Sequence, residues 1–144
     1  MKLAVHKEAA GRLPMAKMRK LFEALTDEEA DPGSSSSINV IFTSDRKIRT
    51  LNRTYRNIDR ATDVLSFNVD DQTVPDGVFG EIYISTATAR KQAAAYGAGL
   101  AEEILRLLCH GLLHLFGYDH QVPRQEKQMK AREEYYLNTI HGSR

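Results

Sequence analysis

The chain carries one cysteine, Cys109, in 144 residues. An internal disulfide framework is excluded, and a reducing compartment suits the sequence. Charge of one sign is also lacking, because twenty basic and nineteen acidic side chains leave a formal net charge of +1. No whole-molecule field draws the protein to nucleic acid or to a membrane, so any such affinity must come from a local patch. No early apolar run has the length of a signal core or a membrane span. Cytoplasmic localisation and no membrane partner are therefore expected. There is no internal repeat, and low complexity is confined to Pro32-Gly33-Ser34-Ser35-Ser36-Ser37, which reads as a flexible loop.

What is present is ordinary for a folded domain: 42% hydrophobic and 27% charged residues. One domain spanning residues 1–144 can build a core at this length. Lys2 to His6 reads as a first strand. Pro14 suits a first helical turn, and Met15, Met18, Leu21, Phe22 and Leu25 then recur at helical spacing. Ile38 to Phe42 is a β-branched strand, after which Ser44 and Asp45 suit the cap of a second helix. Ile48, Leu51, Tyr55 and Ile58 are its expected apolar side. Val64 to Val69 alternates as a strand does, Asp70 to Gly77 is turn-rich, and Glu81 to Ser85 is a further strand. Thr86 to Tyr96 predicts a helix stopped by Gly97. Leu100 to Phe116 predicts an apolar helix, and Arg124 to Thr139 a charged amphipathic one. The interleaving implies an α/β (α+β) sandwich with about four strands. The Leu100–Phe116 helix is too apolar for a surface position and is expected at the centre.

That helix carries the chemistry. Three of the five histidines, His110, His114 and His120, fall within eleven residues. His110 and His114 are one turn apart on the same helical face. Gly117 then supplies a stop, since glycine accepts the left-handed conformation that ends helices. The chain can turn there and bring His120 to the same point. Three neutral imidazoles suit one zinc ion and leave a fourth position for water, the layout of a catalytic site. Cys109 is a poor fourth ligand, because neighbours on a helix point about 100° apart. It reads as a small buried hydrophobe. Asp119 is open to three readings: a closing ligand, a group that orients a histidine, or a cap of the turn. Tyr118 reads as packing, and His6 and His141 as structural or surface residues. Zinc chemistry of this kind points to hydrolysis.

The spacing also matches the zinc-binding pattern of metzincin peptidases. Those enzymes carry a glutamate base directly after the first histidine, where this chain has Gly111. A glycine takes no proton, which argues against peptide hydrolysis. Gly111 either leaves room for substrate or admits a closely packed helix. Arg49, Arg53, Arg56 and Arg60 would share one face of the second helix if it runs that far. Such a stripe is a solvated face or a phosphate-binding one, since guanidinium forks match phosphate oxygens.

Taken together, these residues resemble the YbeY family of bacterial endoribonucleases. The similarity lies in His110 to His120, in Leu51-Asn52-Arg53-Thr54-Tyr55-Arg56 with Asp59, and in Thr62-Asp63-Val64-Leu65-Ser66-Phe67. Gly80-Glu81-Ile82 resembles a third block. The resemblance covers about half of the chain, from Leu51 to His120. It implies a small four-stranded sheet and one zinc ion on His110, His114 and His120. It also implies metal-dependent cleavage of single-stranded RNA in 16S ribosomal RNA maturation and ribosome quality control, with the small ribosomal subunit as partner. The family's functional arginine falls on Arg56. Asn68 stands where that family commonly has proline, Glu81 where it has aspartate, and Gln121-Val122-Pro123-Arg124 where it is acidic. Two other classes fit the residues less well: a metal-stabilised ribosome-assembly factor without hydrolysis, and a metallopeptidase.

Overall fold

The computed structural model describes residues 1–9, 11–69 and 77–141. Most of the turn-rich stretch expected from Asp70 thus lies outside the described residues. Among the described residues the elements run β1 (Lys2–Lys7), α1 (Met15–Glu29), β2 (Ser37–Thr43), α2 (Asp45–Arg56), β3 (Val64–Asn68), β4 (Val78–Ser85), α3 (Thr86–Tyr96), α4 (Leu100–Leu115) and α5 (Pro123–His141). β1, β2 and β4 are parallel, and β3 closes one edge antiparallel to β4, in the order β1-β2-β4-β3. The parallel pairs need helical crossovers, which α1 supplies between β1 and β2. The result is the expected α+β sandwich on a four-stranded sheet. Among the described residues no helix is long and apolar enough to cross a membrane.

α4 is the central helix, as its composition predicts. Ten of its sixteen residues are buried, and the apolar side chains among them meet Met18, Leu21 and Leu25 of α1, Ile82 and Ile84 of β4 and Met129 of α5 in one core. Glu102 and Glu103 in its first turn complement the positive end of the helix dipole. Its contact with the sheet is unusually close at Gly111. A Cβ there would lie 2.8 Å from Ile82 Cγ2 and 3.1 Å from Ser66 Oγ. The bare backbone therefore admits the sheet, rather than another helix or a substrate. Gly111→Ala is expected to lower stability. Overpacking against a fixed strand costs about 1–3 kcal/mol, which outweighs the ~1 kcal/mol of helix propensity that alanine adds. Urea unfolding should show a lower midpoint at unchanged slope, and an unchanged midpoint would refute this contact.

α2 flanks the opposite face. Ser66 donates its hydroxyl to the Gly111 carbonyl at 3.0 Å, so it faces α4. Phe67, next along the strand, points the other way. Its ring meets Tyr55 of α2 at 5.6 Å and Tyr83 of β4 at 6.0 Å. α2 starts at its expected cap, with Ser44 Oγ accepting from Lys47 N at 3.2 Å. It stops earlier than the arginine stripe requires. Asn57 takes a left-handed conformation with φ 59°, one that asparagine tolerates better than most residues. Arg60 is therefore off the helix, and the four arginines do not share a face. Ile58 and Tyr55 are correspondingly 41% and 69% exposed, and Ile48 alone of the four expected apolar positions is fully buried.

Two smaller departures follow from tertiary contacts. β4 begins at Val78, three residues before the expected start, because Gly80 and Glu81 pair with Asn68 and Phe67 of β3. The serine-rich loop is tied down, with the terminal amine donating to Ser34 O at 2.9 Å and Lys2 N to Ser36 O at 3.0 Å.

Candidate metal centre

The turn after α4 delivers the third histidine. Tyr118 N donates to Leu113 O at 3.0 Å and Gly117 N to His114 O at 3.1 Å. With Gly117 at φ +96°, this is a Schellman ending, in which glycine takes the left-handed position and the last helical carbonyls are satisfied. Asp119 Oδ1 accepts from His120 N at 2.7 Å, so Asp119 caps the turn.

The three imidazoles meet. Ring centroids lie 4.7 Å apart for His110 and His114, 5.1 Å for His114 and His120, and 5.5 Å for His110 and His120. One ligand nitrogen from each lies within 4.8 Å of the others, a group fit to hold a metal ion. His110 Nε2 and His114 Nε2 face each other at 3.1 Å. Burial, then the neighbouring His110 and His120, push the His114 imidazole below its ordinary pKa. It is thus neutral near pH 7, the form that binds a metal. Donor type, convergence and protonation all suit a borderline cation such as zinc. Cys109, one residue before His110, is buried, and burial raises its thiol pKa well above the ordinary value. It is a packed hydrophobe, not a nucleophile.

A cavity of about 500 Å³ opens beside the histidines, and Arg56, Asp63, Ser66 and Asn68 contribute to its wall. Arg56 is brought there from α2 across the edge strand. Its Nη2 donates to Ser66 O at 2.8 Å, and its guanidinium sits 5.3 Å over the Phe67 ring. Ser66 thereby joins both halves of the site: its carbonyl holds Arg56, and its hydroxyl holds the helix turn between His110 and His114. Asn68 ties the same strand to α4 through Leu115 O at 3.0 Å. Arg49 and Arg53 turn elsewhere, pairing with Asp59 at 2.9 and 3.9 Å. Glu81 lies off the site and accepts from the Tyr83 hydroxyl at 3.4 Å. His6 and His141 are exposed on β1 and α5, away from the cluster.

Two groups near the site have no signature in the sequence. Glu133 of α5 approaches His110 Nδ1 at 2.6 Å. Glu29, at the end of α1, accepts from the Tyr118 hydroxyl at 3.1 Å, from Arg132 at 2.7 Å and from Tyr136. This anchors the turn that carries His120. Both carboxylates lie on charged amphipathic helices, where periodicity cannot separate them from solvated glutamates.

Burial pushes the Glu29 carboxyl up, but its bonds to Arg132, Tyr136 and Tyr118 outweigh burial and hold it below its ordinary 4.5. A folded-state pKa below the unfolded one contributes stability above the unfolded value and loses it as the pH falls through the folded one. Glu29→Gln should therefore be less stable than wild type at pH 7, with the gap narrowing below about pH 4.5. Urea unfolding at pH 7 and pH 3.5 measures this, and a gap independent of pH would refute it.

The family model described as "Endoribonuclease YbeY" matches residues 5–141. A protein of that name from Heliobacterium modesticaldum is 40% identical over 131 residues, 83% of this chain and 79% of the relative. One from Acholeplasma laidlawii is 45% identical over 108 residues, covering 75% and 77%. A third, from Myxococcus xanthus, is 47% identical over 109 residues, 72% of this chain but 36% of that longer protein. Among solved structures, a Thermotoga maritima protein determined in solution superposes with a TM-score of 0.64 at 29% identity, covering 97% of this chain and 89% of the other.

Proposed function

The chain belongs to the YbeY endoribonuclease family, and from that premise we propose that it is a single-domain, zinc-dependent endoribonuclease of the cytoplasm that cuts single-stranded RNA. Its place is the maturation and quality control of small-subunit (16S) ribosomal RNA, with the small ribosomal subunit as partner. One observation supports this most: three imidazoles and Arg56, from different parts of the chain, line the same cavity. One zinc ion is held by His110, His114 and His120. When bound, it supplies Lewis-acid polarisation of a phosphoryl oxygen and acidifies water.

The chain's own residues do the rest. Arg56 spends one guanidinium nitrogen on Ser66 O and has further N–H donors for phosphoryl oxygens. It binds the scissile phosphate and neutralises charge as it grows there, an effect strongest in a cavity that limits water. The Phe67 ring beneath the guanidinium holds the fork in plane, so little reorganisation accompanies the reaction. Ser66 sets the spacing between Arg56 and the histidine helix. Gly111, the position of the peptidase base, has no side chain and faces the sheet, so this site has no peptidase-type glutamate.

Zinc-loaded protein is expected to cleave an end-labelled single-stranded RNA, to spare the same sequence in a duplex, and to lose activity with chelator. Zinc binding without cleavage would overturn this in favour of a non-hydrolytic assembly factor. A 2′,3′-cyclic phosphate product end would assign the attack to the ribose 2′-hydroxyl rather than to water alone.

A further inference from the structure

A carboxylate from another helix holds the His110 ring from behind. Glu133 Oε1 lies 2.6 Å from His110 Nδ1. A carboxylate oxygen accepts, so in the neutral ring that a metal requires Nδ1–H donates and Nε2 keeps its lone pair. Nε2 is the nitrogen that faces His114 Nε2 at 3.1 Å. We propose that Glu133 is the positioning residue of the metal centre: it fixes the His110 tautomer and ring plane, so that Nε2 meets the ion without a search over ring states. The inference rests on reading the three histidines as metal ligands.

Three observations separate this contact from an incidental ion pair. The side chains of His110 and Glu133 are only 24% and 16% exposed, and a hydrogen bond gains strength in such surroundings. The contact is tertiary, between helices α4 and α5, and α5 is locked in place by Met129, Tyr136 and Ile140 at 2%, 0% and 5% exposure. The adjacent cation, Arg132, is turned toward Glu29 at 2.7 Å, and although Arg106 acts on Glu133 at longer range, His110 is the one group among the described residues that pairs with it directly. A carboxylate behind a ligating histidine orients the ring and raises its basicity, and losing it typically weakens metal binding roughly 10- to 100-fold.

The test uses the full chain and cobalt(II) as a spectroscopic probe, titrated in competition with a chelator. Glu133→Ala should bind about 10- to 100-fold more weakly than wild type. Glu133→Gln, whose amide oxygen still accepts from Nδ1–H without the charge, should fall between them. Metal-free melting temperatures should stay within a few degrees, because α5 keeps its apolar anchors Met129, Tyr136 and Ile140 when this one side-chain bond is lost. Imidazole ¹⁵N spectra of the metal-free wild type give a readout that needs no variant and no activity: His110 should carry its proton on Nδ1. A proton found on Nε2, or equal cobalt affinity in all three proteins, would overturn the proposal. Wild type that binds no cobalt, yet shows the Nδ1 proton, would overturn the histidine metal site itself and this role with it.

Discussion

His114→Ala is expected to abolish RNA cleavage and most zinc binding while leaving the fold intact. His114 is the middle one of the three histidines proposed to hold the metal, one turn from His110 and held against the His120 turn by the Gly117 N–H to its carbonyl. On the proposed reading, alanine leaves two imidazoles, one fewer than the three protein ligands a catalytic zinc would need. Metal-assisted charge stabilisation is worth several kcal/mol. At 1.36 kcal/mol per decade, kcat/KM should fall roughly a thousandfold or more. The side chain is only half-buried, and alanine favours helix, so the metal-free melting temperature should hold or rise. Zinc content and single-turnover cleavage measured on the same preparation check this. A variant that still cuts at the wild-type rate would sink the histidine site as the seat of catalysis.

Arg56→Ala is expected to lower kcat by roughly 10²–10³ with zinc affinity unchanged, the loss typical of removing one donor aimed at transition-state charge. Arg56 is exposed at the end of α2, so the fold does not depend on it. Arg56→Lys should recover only a fraction. An ammonium is a compact point charge, whereas the planar fork holds Ser66 O and still presents donors to phosphate. A change confined to KM would reduce Arg56 to a substrate-binding residue. Loss of zinc binding in the variant would show that it acts through the histidine helix rather than on phosphate.

Much of this architecture was legible in the sequence. Apolar spacing around Met18, Leu21 and Leu25 marked α1, the β-branched run at Ile38 marked β2, and Gly97 and Gly117 ended α3 and α4. Each of these signals acts within a few residues, where backbone sterics and side-chain periodicity dominate. Asn57 carries the local signal against a continuous arginine stripe: asparagine after Arg56 ends α2 in a left-handed turn, and Asp59 folds back onto Arg49.

By itself, the sequence determined the elements and the convergence of the histidine triplet, because the i, i+4 spacing of His110 and His114 and the glycine stop before His120 are short-range geometry. Only the tertiary structure decided what surrounds that triplet. It laid Ser66 against Gly111, and so Arg56 beside the histidines. It turned Gly111 to the sheet, gave Glu133 to His110, and anchored the Tyr118 turn on Glu29. Those pairings join residues 10 to 89 positions apart. They are set by how the apolar faces of α1, α4 and α5 pack together and onto one side of the sheet and of α2 onto the other, a choice that no local pattern encodes.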